Sequence, residues 1–473
     1  MPHSPCVTLL GGVNEIGGNK ILIEDRGTRI FLDFGKSYAA RSAYYDWMSS
    51  PRTVNGIGDF LALGILPEVR GIYREDLLKL AGLRAKEDRL IDALVLSHAH
   101  SDHADYISFL REDIPIWMGE TCKDIIESLE AQKDARLEFE ITRFKDRSEP
   151  KKRSEICREI HTFNTRSGKF KIDSVEVEPV HVDHSLPGCY GFIIRTSNAT
   201  IVYSGDLRMH GNRSDMTREF VKRAKDAKPD LMLCEGTRVN EPATMSEQDV
   251  HDACLEHVKS TNGGFVFAHY SYKDVDRFTS FHRIAKETER KLVITPAVAR
   301  YLEALSKRDT SLKIPKLDDP NIVIYKPREK SGSYSDSDYE KKDRPYYNRE
   351  NSWTAEKVKK YESQVIMAIG SYEINELIDV RPKGGIYLHS TSEPFNEEGE
   401  IDEARMRNWL RRFDLTRVFA HCSGHASGAD IDYIINEVAP KTLVPIHTVF
   451  PNMFRLRSGG SVRLAEIGEQ ITI

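Results

Sequence analysis

The stretch Ser97-His98-Ala99-His100-Ser101-Asp102-His103 follows directly on the run IDALVL at 91–96. A short run this apolar, bounded by polar residues, reads as a buried strand. Three histidines and an aspartate then fall within six positions. If the backbone stays extended through His98 and His100, their alternating side chains project to one side. A tight turn must then bring Asp102 and His103 back toward the same point. Imidazole and carboxylate together suit zinc, manganese or iron better than calcium or magnesium. Three later residues offer the same donors: His184 in HVDHSLPG, Asp206 closing TIVYSGD, and His447 in TLVPIHT. Taken singly, each reads as a packed histidine or a turn aspartate. Taken together they form an ordered set, because each follows an expected strand and has Gly, Pro or Ser beside it.

Working outward, the N-terminal part reads as antiparallel β: VTLL, NKILIED and TRIFLDFG, with GGVNEIGG and Asp25-Arg26-Gly27 as turns. Residues 37–89 are mixed and partly helical, carrying Tyr38, Tyr44, Tyr45 and Trp47. After the histidine stretch, DYISFLRE, IPIWMG and TCKDIIESLEAQ alternate helix, strand and helix, and the charged segment 145–158 reads as an exposed hairpin or loop. Three strands, KFKIDSVEVEPVHV, GFIIRT and TIVYSGD, lead to a helix and the buried strand DLMLCE. From about Met245 the pattern becomes βαβ, which predicts a parallel sheet. The segment 327–352 has few aliphatics and many charges, and is expected to be a mobile loop. The division expected is 1–240 for a first domain, 241–405 for an insertion and 406–473 for the return to the first.

Composition narrows the function. At about 150 residues per domain, 473 residues predict two to four domains. No apolar run reaches the roughly 20 residues a membrane helix needs, and the N-terminus lacks the pattern of a signal peptide. Seven scattered cysteines without a CxxC pair argue against a disulfide framework or a thiolate zinc site, and for a reducing cytoplasm. A net charge of -5 disfavours non-specific coating of nucleic acid, though not a local basic channel. No GxSxG elbow is present, so no protein nucleophile is evident.

The HxHxDH motif, a downstream His, an Asp after a strand and a late His resemble the ordered motifs of the metallo-β-lactamase fold. About 240 residues between Asp206 and His447, with SGHAS at 423–427 and PIH at 445–447, resemble the β-CASP nucleases within it, and among those the ribonuclease J family. The resemblance spans nearly the whole chain. It implies an α/β fold: an αββα sandwich carrying an inserted β-CASP α/β domain. The chain ends 26 residues after His447, which is similar to the compact archaeal-type form. The family's Ser-Asn-rich segment reads here as Phe267-Ala268-His269-Tyr270-Ser271-Tyr272, a departure that bears on substrate contacts.

By that resemblance, His98, His100 and His184 hold one divalent ion, Asp102, His103 and His447 hold another, and Asp206 bridges them. Zinc is the metal expected, with manganese the alternative. Asp33 and Glu235 would orient imidazoles from behind. Asp102, Asp206 and His425 carry the catalytic roles. A hydroxide shared by the two ions would attack the phosphodiester, and His425 would stabilise the transition state or protonate the leaving 3′ oxygen. Ser423, Gly424, His425, Ala426 and Ser427 would hold a phosphate where a helix begins, with Ser427 as its N-cap. His421 would line the same pocket. The basic residues Lys273, Arg277, Arg283, Lys286, Arg290, Lys291, Arg300, Lys307 and Arg308 could wall a channel, and Tyr270 and Tyr272 could stack bases. The activity implied is a 5′-to-3′ exoribonuclease acting on 5′-monophosphorylated single-stranded RNA and releasing mononucleotides, with no membrane partner and a homodimer admitted. A histidine at 447, where DNA-directed members tend to carry an aliphatic residue, favours RNA. The alternatives are an endoribonuclease of the 3′-end-processing type and a non-catalytic RNA-binding subunit, which would usually have lost metal ligands.

Overall fold

A computed structural model describes residues 4–46, 48–85, 88–131, 137–148, 154–308, 312–392, 397–456 and 459–473. Trp47 and the first three residues lie outside them. The chain forms two compact units: 1–209, 213–243 and 424–473 make the first, and 210–212 with 244–423 the second.

Among the described residues, the first unit is built on two seven-stranded sheets. One runs, edge to edge, Gln470–Thr472, Cys6–Gly11, Lys20–Asp25, Thr28–Phe34, Ala93–Leu96, Ile116–Gly119 and Ile160–Phe163. Its first four strands pair antiparallel, as the turn signals predict, and the rest pair parallel. The other runs Ser461–Val462, Thr442–Ile446, Leu231–Glu235, Thr200–Tyr203, Cys189–Arg195, Val175–Val182 and Phe170–Ile172. Its strands pair parallel as far as Thr200–Tyr203 and antiparallel beyond. Alternate residues of both sheets, among them Val7, Ile21, Leu32 and Val95 from one and Val177, Phe192, Ile201 and Val444 from the other, merge into one buried core. The helices Glu120–Glu130 and Ser214–Ala227 pack on the outer faces, which completes the four layers expected. The strands Arg143–Lys145 and Glu155–Cys157, at the ends of the segment 145–158 expected to be a hairpin or loop, pair antiparallel.

The second unit is a wholly parallel seven-stranded sheet among the described residues. Its order is Ser352–Thr354, Ile322–Lys326, Lys291–Ile294, Val365–Ala368, Phe265–His269, Gly385–His389 and Leu415–Phe419. The near-continuous apolar runs FVFAH, KLVI and VIMA suit strands covered on both faces. The strand Leu415–Phe419 pairs with Gly385–His389, so 406–423, expected in the returning part of the first domain, lies in the second unit.

The segment 327–352 is not the unstructured loop its composition suggests. Tyr339 and Tyr347 are buried with ring centroids 4.2 Å apart, and the Tyr339 hydroxyl donates to the Pro327 carbonyl at 2.9 Å. The Asp338 carboxylate accepts from the hydroxyls of Ser331, Ser333 and Ser335. Tyrosines replace aliphatics as its anchors. No helix among the described residues is long and apolar enough to cross a membrane.

Candidate metal centre

Four strand ends in the first unit converge on one point. His98 lies two residues past Ala93–Leu96, His184 two past Val175–Val182, Asp206 three past Thr200–Tyr203, and His447 one past Thr442–Ile446. Ser101–Ala104 forms a single helical turn that brings Asp102 and His103 back toward His98, the turn the sequence requires.

The close approach is built on glycine. A Cβ on Gly35 would lie 1.6 Å from the Asp102 carbonyl oxygen, and one on Gly17 (φ +80°) 2.6 Å from the Asp102 Cβ. The backbone of Asn19 donates to that carbonyl at 3.2 Å, and Lys36 donates to Ser101 at 3.0 Å. The loop before Lys20–Asp25 and the one after Thr28–Phe34 thus hold the motif from outside.

Two donor sets result. In the first, His100 Nδ1 lies 3.1 Å from His98 Nε2 and 3.0 Å from His184 Nε2. In the second, His447 Nε2 lies 3.1 Å from Asp102 Oδ2, and His103 Nε2 lies 4.0 Å from the same oxygen. Asp206 Oδ2 faces both: it is 3.6 Å from His98 Nε2 and 3.9 Å from His184 Nε2, 3.2 Å from His103 Nε2 and 3.6 Å from His447 Nε2. One oxygen, rather than one for each set, is the shared atom. Nitrogen ligands about 2.0–2.1 Å from a tetrahedral cation lie roughly 3.3 Å apart, close to the 3.0 and 3.1 Å between imidazoles of the first set.

Hydrogen bonds behind three of the imidazoles turn their Nε2 atoms toward the centre. Asp33 Oδ2 accepts from His103 Nδ1 at 2.7 Å. The His184 Nδ1 proton goes to the Gly424 carbonyl. Ser97 Oγ donates to Asp33 Oδ2 at 2.7 Å, so its lone pair meets His98 Nδ1 at 3.0 Å. With their Nδ1 atoms hydrogen-bonded outward, His98, His103 and His184 turn Nε2 inward, and in a neutral ring that nitrogen is a free lone pair. His103 Nε2 and Asp206 Oδ1 are buried with no hydrogen-bond partner among the described residues. Converging lone pairs beside an orphaned carboxylate oxygen fit divalent cations.

Electrostatics point the same way. Burial, reinforced by neighbouring imidazoles, pushes His98 and His184 well below the usual histidine range, which keeps them in the neutral form that ligates metals. Around His103 burial is outweighed by the Asp206, Asp33 and Asp102 carboxylates, and its pKa rises well above normal. Burial would raise Asp206, but His103, His447 and His425 hold it well below the carboxylate range. The second set therefore favours positive charge at its centre.

His425 stands beside both sets, its ring centroid 4.9 Å from that of His184 and 5.5 Å from that of His447. Its Nδ1 lies 3.2 Å from each Glu235 oxygen. Burial works against the charged ring, but Glu235 and Asp206 overcome it and raise the pKa to about 9. Glu235 also accepts from the backbone of Leu207 and Thr237, at 3.1 Å each. Asp33 and Glu235 thus stand behind His103 and His425 respectively. Ser427 caps the helix Gly428–Val438 in a capping box with Asp430.

The phosphate cradle expected at 423–427 is only partly formed. The N–H groups of Ala426, Ser427 and Gly428 are spent on the Leu207 carbonyl, the Asp430 carboxylate and the Glu241 carbonyl. The Gly424 carbonyl serves His184 instead. Ser423 is the last residue of the second unit. His421 also belongs to that unit, its Nδ1 3.2 Å from the Ser390 carbonyl.

The basic residues of the second unit are partly structural. Arg277 is buried against Glu247 at 2.8 Å and reaches the Ser390 hydroxyl at 2.5 Å. Arg290 is buried and donates to the carbonyls of Gly264 and Val365. Arg300 pairs with Asp343. Tyr270 is buried and stacked on Phe281 at 4.8 Å, so its face is closed to a base. Tyr272 packs edge-on against Tyr301.

Residues 73–270 match the family described as a β-lactamase superfamily domain. Ribonuclease J of Mycolicibacterium smegmatis is 24% identical over 468 residues, covering 94% of this chain and 69% of that protein. Ribonuclease J of Pyrococcus abyssi is 22% identical, covering 93% of this chain and 89% of its own. A crystal structure of a protein of unknown function from Enterococcus faecalis superposes with a TM-score of 0.77 over 99% of this chain, at 24% identity, which shows the shared fold. The chain thus carries a metallo-β-lactamase-fold domain and is similar, over nearly all of its length, to the ribonuclease J members of the β-CASP nucleases.

Proposed function

We propose that this chain is a metal-dependent ribonuclease that degrades single-stranded RNA from a 5′-monophosphorylated end, releasing mononucleotides, in the cytoplasm. The observation that carries the reading is the gathering of six donor residues, in two sets of three, around Asp206 Oδ2. Two divalent ions bound there, zinc or manganese, lower the pKa of water and neutralise charge on a phosphodiester.

The chain's own residues do the rest. His98, His100 and His184 would hold one ion and Asp102, His103 and His447 the other, with Asp206 offered to both sets. Asp33 accepts from His103 Nδ1 and so turns Nε2 toward the ion it would hold. Glu235 holds the His425 ring by Nδ1, so Nε2, on the far side of the ring, meets the substrate and gives a proton to the leaving 3′ oxygen. The retention of every donor, with the proton of each Nδ1 directed away from the centre in His98, His103 and His184, speaks against a non-catalytic binding subunit.

The test uses single-stranded RNA labelled separately at the 5′ and 3′ ends, bearing 5′-monophosphate, triphosphate or hydroxyl. Zinc or manganese is added, with His103→Ala as control. Immediate release of labelled mononucleotide, fastest for the monophosphate and absent in the variant, is the expected result. Discrete internal fragments insensitive to the 5′ group would replace the reading with an endonuclease, and no metal-dependent cleavage would end it.

A further inference from the structure

Of the imidazoles in the second donor set, His103 has a carboxylate behind it, whereas His447 has none among the described residues. Its Nδ1 lies 2.8 Å from the hydroxyl of Thr237. A threonine hydroxyl has one proton to give. When Nε2 ligates a cation the ring proton sits on Nδ1, and the hydroxyl then accepts it at 2.8 Å, its own proton having the His447 carbonyl at 3.4 Å as an acceptor. With Nδ1 engaged by the hydroxyl, Nε2, 3.1 Å from Asp102 Oδ2, is the nitrogen that faces the centre. Ser97 works on His98 in the same way, with its own proton spent on Asp33.

The backbone supports this arrangement. His447 has φ 52°, a left-handed conformation uncommon for histidine, and its N–H donates to the Gly12 carbonyl at 2.8 Å. The Thr237 N–H is bonded in turn to Glu235, whose carboxylate faces His425. One short loop, 235–237, therefore sets the direction of two imidazoles.

We propose that Thr237 is a positioning residue of the metal centre, whose hydroxyl fixes His447 Nε2 as the nitrogen presented to the cation. The inference rests on the metal-centre reading above.

The test compares Thr237→Val, which keeps the shape and removes the hydroxyl, with Thr237→Ser, which keeps the hydroxyl. Zinc binding to the full chain is measured by competition against a chromophoric chelator, alongside thermal unfolding of the zinc-loaded protein. Losing an imidazole's outer partner typically weakens metal affinity 10–100-fold. The expected result is that loss for one of two zinc equivalents in Thr237→Val, with the other equivalent unchanged and Thr237→Ser close to the parent. Unchanged affinity for both equivalents in Thr237→Val would overturn the proposal. So would a Thr237→Ser variant as weak as the valine variant, which would assign the effect to packing. Equal loss of both equivalents with a collapsed unfolding transition would assign it to the fold. If the parent chain itself binds no pair of zinc ions, the metal-centre reading fails, and Thr237 fails with it rather than separately.

Discussion

Asp33→Asn changes one atom of the side chain and separates hydrogen-bond polarity from shape. Asp33 Oδ1 accepts from the Ser97 backbone N–H at 2.7 Å. Oδ2 accepts from Ser97 Oγ at 2.7 Å, His103 Nδ1 at 2.7 Å and Tyr203 Oη at 2.5 Å. Asparagine must place its NH2 on one side or the other. Placed toward the Ser97 backbone, it meets an N–H that cannot reverse, and an unmade buried bond costs about 1–3 kcal/mol. Placed toward His103, it forces the ring proton onto Nε2, 3.2 Å from Asp206 Oδ2, where it occupies the ligating lone pair. The first orientation lowers stability; the second weakens the second ion by about 10–100-fold, or roughly 1.4–2.7 kcal/mol. Backbone strain does not confuse the result. Asp33 has φ 55°, and asparagine tolerates that region at least as well as aspartate. Zinc stoichiometry and affinity by chelator competition, together with the unfolding transition, read both branches. An Asp33→Asn variant with two equivalents at parental affinity and an unchanged transition would refute the reasoning.

Gly35→Ala places a Cβ 1.6 Å from the Asp102 carbonyl oxygen, which must retreat by about 1.8 Å to reach ordinary contact at 3.4 Å; displacement on that scale predicts at least about a 10²-fold loss of RNA cleavage, measured with zinc content on the purified chain. His425→Ala removes the residue that Glu235 holds without removing a donor from either metal set, so cleavage falls by about 10²–10⁴-fold while two ions per chain are still found by elemental analysis. Arg277→Met leaves Glu247, itself buried, without its cation; denaturant unfolding of the full chain records a loss of about 3–5 kcal/mol, with zinc stoichiometry unchanged.

The donors that sequence made legible are those whose chemistry is compressed or punctuated. His98, His100, Asp102 and His103 stand within six positions. His184, Asp206 and His447 each follow an apolar run that ends in small or turn-forming residues. The residues that orient them left no such trace. Ser97 is adjacent to His98, but a serine after a strand reads as a turn. Tyr203 reaches Asp33 across 170 positions and donates from the end of a strand whose apolar run TIVY marks it only as core. Arg277 illustrates the opposite error. Among the basic residues of the second unit it reads as part of a channel wall, and it is buried because Glu247, Ser390 and the Cys422 carbonyl, far apart in sequence, surround it. In 327–352, counting aliphatics misleads because buried tyrosine rings supply the packing.

The large insertion does not dilute the site, and strand pairing explains why. The chain leaves the first unit after the strand Leu231–Glu235 and returns through Gly428–Val438 to the strand Thr442–Ile446. Those two strands are hydrogen-bonded parallel neighbours, with Glu235 opposite Ile446. The pairing register therefore fixes where each strand end delivers its loop, however many residues intervene. Thr237, two residues past one end, meets His447, one residue past the other, although 210 positions separate them. Thr200–Tyr203 lies on the other side of Leu231–Glu235, again parallel, so Asp206 emerges at the same end. Ligand geometry in this chain is thus a consequence of sheet register. A change that slips the Glu235–Ile446 pairing should disturb His447, Glu235 and Thr237 together, whereas changes in the length of the inserted unit should leave the positions of all three unaltered.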